Sequence, residues 1–170
     1  MSKKIAEIIR VNQAGEYGAK RIYEGQMAAL SEPTSLRKIE HMYKQELEHL
    51  NYFNLEMVKK RVRPTFMLPI WNIGAYALGY ISGKFGIKAA MACIAAVEEV
   101  IEGHYQDHID YLENYKEEQA LKEKIKKFQS DEVEHKITGL NSSTEELHYQ
   151  IFKVGVRSLT RVAIKISKKI

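Results

Sequence analysis

Two short strings hold the residue types able to bind a metal ion: QELEH, Gln45 to His49, and SDEVEH, Ser130 to His135, each with a Glu-x-x-His step. A three-residue step puts both side chains on one face of a helix, about one turn apart, so each pair offers a cation one oxygen and one nitrogen. Two such pairs, each preceded by a helix with another carboxylate on its apolar side, give the mixed cage that suits two iron or manganese ions in a helix-bundle core.

A ligand aimed at the core must share its stripe with apolar neighbours. Glu46 and His49 share theirs with Leu36, Ile39, Phe53 and Met57; Glu132 and His135 share theirs with Leu121, Ile125, Phe128 and Gly139. Glu48 and Glu134 fall on other faces. Upstream, Glu16 sits in the stripe Ile5, Ile9, Asn12, Ala19, Tyr23, and Glu98 in the stripe Met91, Ile94, Ile101, Tyr105, Leu112, whereas Glu99 aligns with Glu102 and Gln106. His104 and Tyr105 follow Glu98 by about two turns and are expected near the site. Gly15 and Gly18, costly in a helix interior, are expected to let a close-packed centre form beside the acid.

These positions require an all-α chain. Helical periodicity predicts a first helix from Lys3 to about Leu30, then a break at Ser31–Ser35 around Pro33. A second helix is expected from about Ser35 to Lys60, a third from Gly86 to Tyr115, and a fourth from Glu117 to Thr138. Glu, turn, Glu-x-x-His thus occurs twice with similar arms, and two antiparallel hairpins packed face to face form a four-helix bundle. Residues 64–83 carry no charge; two prolines, three glycines, Asn72 and Ser82 make them a poor membrane span and an expected connecting helix, with Ala75, Gly79 and Gly83 placed for close helix approach. Ser143 with Glu146 fits a capping box starting a last helix. That helix has an apolar side, Phe152, Val156, Leu159, Ala163, Ile166, Ile170, and a basic stripe, Lys153, Arg157, Arg161, Lys165, with Lys168 and Lys169 beyond, which reads as a membrane-surface element.

The 170 residues suffice for one domain with its own core, 1–170. A single cysteine, Cys93, excludes an internal disulfide and an all-cysteine metal site and suits a reducing cytoplasm. The start, MSKKIAEIIR, lacks the apolar run of a secretory signal and reads as the beginning of a helix. The formal charge of +4 is not arranged with interleaved aromatics as single-stranded nucleic acid needs, so nucleic acid is not an expected partner.

A carboxylate-rich set with one nitrogen per metal favours iron or manganese over zinc or calcium. Glu16 and Glu98 are expected as terminal ligands, Glu46 and Glu132 as bridges, and His49 and His135 as one nitrogen to each ion. An open edge on such a pair binds dioxygen.

The runs AGEYGAKRIYEGQ, Glu46-x-x-His49, AVEEVIEGHY and DEVEHKITGL resemble the demethoxyubiquinone hydroxylase family, di-iron monooxygenases of ubiquinone biosynthesis, over nearly the whole chain. The resemblance implies a ferritin-like bundle holding two irons per chain that hydroxylates the quinol ring of a polyprenylated intermediate. Dioxygen is then the co-substrate, and the electrons come ultimately from NADH or NADPH. It places the metal ligands on Glu16, Glu46, His49, Glu98, Glu132 and His135 and the substrate-side pair on His104 and Tyr105. Some members carry a second histidine where this chain has Lys136, off the ligand stripe. A polyprenyl tail implies membrane contact, expected through residues 64–83 and the basic last helix. Without the N-terminal extension of mitochondrial members, the expected place is the cytoplasmic face of a bacterial inner membrane, as a peripheral protein that can self-associate or meet other ubiquinone-biosynthesis proteins. The rivals are a ferroxidase or iron-storage protein on the same frame, and a metal-free membrane-docking helical adaptor, which would leave six polar residues buried without a cation.

Overall fold

The computed structural model describes residues 2–144 and 146–168. Its elements are α1 (Lys3–Ala29), α2 (Pro33–Lys60), α3 (Leu68–Lys84), α4 (Ile87–Leu112), a 3-10 turn (Lys116–Glu118), α5 (Gln119–Ser142) and α6 (Leu147–Ser167), with no strand among the described residues. Ser2 caps α1, its hydroxyl accepting from the Ile5 amide at 3.2 Å. Such a cap stabilises a helix by about 1 kcal/mol. Helix α2 starts two residues before the expected Ser35, because Pro33 serves as its first residue, where no amide donor is needed. The Glu32 carboxylate then caps it, accepting from the Thr34 and Ser35 amides at 2.8 and 2.6 Å.

Two expectations fail at the far end. Helix α5 runs on to Ser142 instead of stopping at Thr138, since Gly139 is a packing residue and not a stop: a Cβ there would lie 2.8 Å from the Met91 carbonyl oxygen of α4. Ser143 consequently ends α5, its hydroxyl donating to the Leu140 carbonyl at 3.2 Å, and Glu146 precedes α6 without a side-chain capping bond. Lys169 and Ile170, expected on the last helix, lie outside the described residues.

The helices form an all-α bundle of the ferritin-like kind. The start of α1 (Ile5, Ile8, Ile9) packs with the end of α2 (Phe53, Met57), the end of α4 (Tyr105, Ile109, Leu112) and the start of α5 (Leu121, Ile125) in one apolar cluster. Ala19, Tyr23, Ile39, Met42, Ala90, Met91 and Ile94 form a second apolar cluster from the other halves of α1, α2 and α4. This is the register of two antiparallel hairpins, α1–α2 and α4–α5, with a buried polar layer between two apolar ones.

Helix α3 crosses onto α1 through glycines. A Cβ on Gly79 would meet the Ile22 backbone, 2.7 Å from its carbonyl carbon, and one on Gly83 would lie 2.8 Å from the Ala29 Cβ. The expected close approach at Gly79 and Gly83 is therefore observed, with α1 as the partner. Helix α6 lies against α4. Only part of its basic stripe is a free face: Lys153 is buried and Arg157 donates to Glu99 at 2.7 Å, while Arg161 and Lys165 are exposed. Helix α6 and the α3 region also expose large apolar side chains: Leu147, Ile151, Val154, Leu159 and Val162 on one, Phe66, Ile70, Ile73 and Phe85 on or beside the other. Among the described residues no helix is long and apolar enough to cross a membrane.

Candidate metal centre

Six ionisable side chains from four helices meet in the polar layer. Glu16 comes from α1, Glu46 and His49 from α2, Glu98 from α4, and Glu132 and His135 from α5; none is more than 3% exposed. They form two overlapping groups that could each hold a cation: Glu16, Glu46, His49 and Glu132, and Glu46, Glu98, Glu132 and His135. Glu46 and Glu132 belong to both groups. Glu48, Glu99 and Glu134 point to solvent.

The imidazoles turn Nδ1 inward. His49 Nδ1 lies 3.1 Å from Glu132 Oε1 and 3.6 Å from Glu16 Oε2, and His135 Nδ1 lies 3.1 Å from Glu46 Oε1 and 3.2 Å from Glu132 Oε2. Around His135 the angles do not suit hydrogen bonds, so both Glu46 oxygens, Glu132 Oε2 and His135 Nδ1 are buried without a hydrogen-bond partner. Buried polar atoms are rarely left so in a native core. A carboxylate-rich donor set aimed at one point and missing its partners fits a pair of hard to borderline divalent cations.

Without metal, protons take the place of the cations. Burial, then the neighbouring Glu132 charge, holds the Glu46 and Glu98 carboxyls well above the usual carboxylate range. Burial alone would lower His49, but hydrogen bonds to Glu132 and Glu16 outweigh it and push the ring up to about 12; His135 is raised similarly by Glu132. For Glu132 burial works upward, and the adjacent imidazoles of His135 and His49 override it to about 2. Glu46, Glu98, His49 and His135 thus bind more protons folded than unfolded. The stability they lend is lost as pH rises through their raised pKa values, the histidines acting above their unfolded value of 6.5. Glu132 acts only near its low pKa. Metal-free protein should therefore lose melting temperature from pH 6.5 towards roughly 8.5, and a divalent cation should flatten or reverse that slope. Melts with and without metal check this, and a metal-free melting temperature that climbs over the range contradicts it.

Two tyrosines brace Glu16 and Glu98 across the bundle. Tyr105 of α4 donates to Glu16 of α1, and Tyr23 of α1 donates to Glu98 of α4 at 3.2 Å. Burial first, and then the facing carboxylates, raise both phenols, so they stay protonated donors. The outer nitrogens of the imidazoles also have partners: His49 Nε2 faces Asp131 Oδ2 at 3.1 Å, and His135 Nε2 faces Gln45 Oε1 at 3.0 Å. Sequence reading missed Tyr23, Gln45 and Asp131. The repeat could have found them, since Tyr23 follows Glu16 as Tyr105 follows Glu98, and Gln45 precedes Glu46 as Asp131 precedes Glu132.

His104 is not brought to the cluster. One residue turns a helix by about a hundred degrees, so with Tyr105 inward His104 lies beside His108 instead, ring centroids 4.0 Å apart. It lines a hollow between α4 and α6 with Asp107, Arg161, Lys165 and Lys168. Burial, then the Lys168 charge, lowers it to about 4 and keeps it neutral.

Gly15 and Gly18 do not ease packing as expected, since a Cβ on Gly18 would have no atom within 4 Å. They open a cavity of about 210 Å³ between α1, α3, α4 and α6, walled also by Gly74, Val97, Ile101 and Ala163. Gly15 and Val97 are the chain neighbours of Glu16 and Glu98, and none of the six clustered side chains lines this apolar space.

The profile of the family described as "Ubiquinone biosynthesis protein COQ7" matches residues 3–167. A Dictyostelium discoideum protein named "NADPH-dependent 3-demethoxyubiquinone 3-hydroxylase, mitochondrial" is 44% identical over 168 residues, 98% of this chain and 77% of its own. The human protein of that name is 43% identical over 169 residues, covering 98% and 78%. The "3-demethoxyubiquinol 3-hydroxylase" of Rhodospirillum rubrum is 37% identical over 168 residues, covering 98% and 78%.

Proposed function

Because this chain belongs to the ubiquinone biosynthesis COQ7 family, we propose that it is a hydroxylase of that pathway, adding one oxygen to the ring of a polyprenylated demethoxyubiquinol at a di-iron centre. The observation that carries the reading is the pair of overlapping ligand groups sharing Glu46 and Glu132. Residues 1–170 then work as one ferritin-like domain. Glu16, Glu46, His49, Glu98, Glu132 and His135 would hold the pair, Glu46 and Glu132 being open to both ions and each histidine giving one nitrogen. The bound iron pair supplies the redox chemistry that divides dioxygen between ring and water. In balance, a ring C–H becomes C–OH and the second oxygen leaves as water, with two electrons from NADH or NADPH and two protons. The Dictyostelium and human relatives carry NADPH in their names.

The protein's own groups position and protect. Tyr105 and Tyr23 fix the terminal carboxylates, so each keeps one oxygen aimed inward. The apolar layers above and below keep bulk water from the centre. The apolar cavity lined by Gly15 and Val97 is the place assigned to the quinol in this reading, since its walls are apolar and it lies beside the chain neighbours of two ligands. His104 lines a hollow that shares Ile164 with that cavity, so its part is proton exchange with the quinol from that side and not metal binding.

A prenyl tail holds its quinol in the bilayer, at about 0.8 kcal/mol per buried methylene. The exposed apolar residues of the α3 region and α6 are the surface that meets the lipid, and the exposed Arg161 and Lys165, at the rim of the α4–α6 hollow, are the cations available to its headgroups. This reading makes the chain a peripheral protein, on the cytoplasmic face of the inner membrane if the source is bacterial. No observation favours iron storage or a metal-free adaptor. The test is iron-loaded protein with demethoxyquinol in anionic vesicles, isotopically labelled dioxygen and reduced nicotinamide. A product heavier by one labelled oxygen is expected; iron-loaded, vesicle-bound protein that leaves the quinol unchanged overturns the proposal.

A further inference from the structure

The two halves of the centre match in every inner element. Each cation position has one terminal carboxylate, one imidazole and the same two shared carboxylates. Each terminal carboxylate accepts from a tyrosine of the opposite hairpin. The formal charge of the two ligand sets is therefore equal. The halves part company one bond further out. His49 Nε2 is backed by the carboxylate of Asp131 at 3.1 Å, while His135 Nε2 is backed by the neutral amide oxygen of Gln45 at 3.0 Å. Asp131 and Gln45 hold the same place in the two repeats, so the structure places an acid and an amide in one role.

An anion on the far nitrogen fixes the ring's tautomer with Nδ1 free to bind and makes that nitrogen a stronger donor than an amide partner does. It also adds one negative charge near the first cation with no counterpart at the second. Asp131 is 22% exposed, so water screens that charge only in part.

Building on the two-cation reading above, we infer that the positions are unequal. The one formed by Glu16, Glu46, His49 and Glu132 fills first and holds a divalent cation more tightly, and Asp131 is the positioning residue that sets the difference. Partners of this kind typically change metal affinity 10–100-fold, which is the expected spacing of the two binding steps.

The test is stepwise titration of metal-free protein with Mn²⁺, followed by calorimetry and by the spin resonance of free and bound ion. Wild type should bind in two resolved steps. Asp131→Asn, which keeps shape and loses charge, should weaken the tighter step by about 10–100-fold and merge it with the second. Gln45→Glu should tighten the weaker step, which damage to the fold would not do. Glu98→Ala strips a ligand from the second position alone, so the surviving step should be the one sensitive to Asp131. Two equal steps in wild type, or an Asp131→Asn protein with both steps unmoved or both equally weakened, overturn the inference and leave the two-cation centre standing. A wild-type protein that binds no Mn²⁺ overturns the centre itself.

Discussion

Glu46→Ala is expected to lose both cations together. Its carboxylate is common to the two ligand groups, so one truncation takes an oxygen from each. The fall in affinity at both positions should exceed the roughly 100-fold upper end for an outer partner, because a ligand itself is lost. Metal content after anaerobic reconstitution should drop from two ions per chain towards none, and hydroxylation with it. Stability gives a second readout. In wild type each cation at about a hundred times its dissociation constant adds about 2.7 kcal/mol, worth roughly 5–11 °C of melting temperature in a domain this size. The variant should show no such gain, while its metal-free melting temperature should change little. Without metal the Glu46 carboxyl is held protonated by burial and the Glu132 charge, and neither of its oxygens has a hydrogen-bond partner, so truncation breaks no bond there. A variant that keeps both ions and activity would mean that Glu46 is not shared.

The second large effect is mechanical. Gly79→Ala places a methyl group against the Ile22 backbone of α1, with its carbonyl carbon 2.7 Å away and the carbonyl oxygen nearer still. Backbone atoms cannot swing aside as a side-chain tip can, so α3 must lift off α1. The cost should reach the upper range for overpacking, about 3 kcal/mol, or some 6–12 °C of melting temperature. Gly155→Ala in α6 is the control, since nothing lies within 4 Å of its Cβ and the change should add up to about 1 kcal/mol through helix propensity. Equal melting temperatures for the two variants would contradict a glycine seam between α1 and α3.

Much of this was open to reading from periodicity. Which residues converge follows from a three-residue step and an apolar stripe, both local properties of one helix, and so Glu46 could be told from Glu48 and Glu98 from Glu99 without coordinates. What escaped depends on two helices at once. That Tyr23 reaches Glu98, or that Gly139 packs on Met91 and carries α5 past its expected end, is set by register between chains of contact far apart in sequence. Gly15 and Gly18 misled for the same reason, because a missing Cβ permits close packing or leaves a void depending on what stands opposite. The stripe Lys153, Arg157, Arg161, Lys165 looked wholly free only while the body of α4 was out of view; burial takes Lys153 and Glu99 takes Arg157, and the last two stay exposed. His104 was drawn towards the centre by its neighbour Tyr105, although adjacent residues on a helix diverge.

The Gln45 and Asp131 side chains are each only partly buried, and each reaches from its own helix to the histidine of the other. The two contacts therefore cross-link α2 to α5 at the height of the cluster. The orientation of each imidazole is thereby a joint property of both helices, so a shift of one past the other would disturb both rings at once.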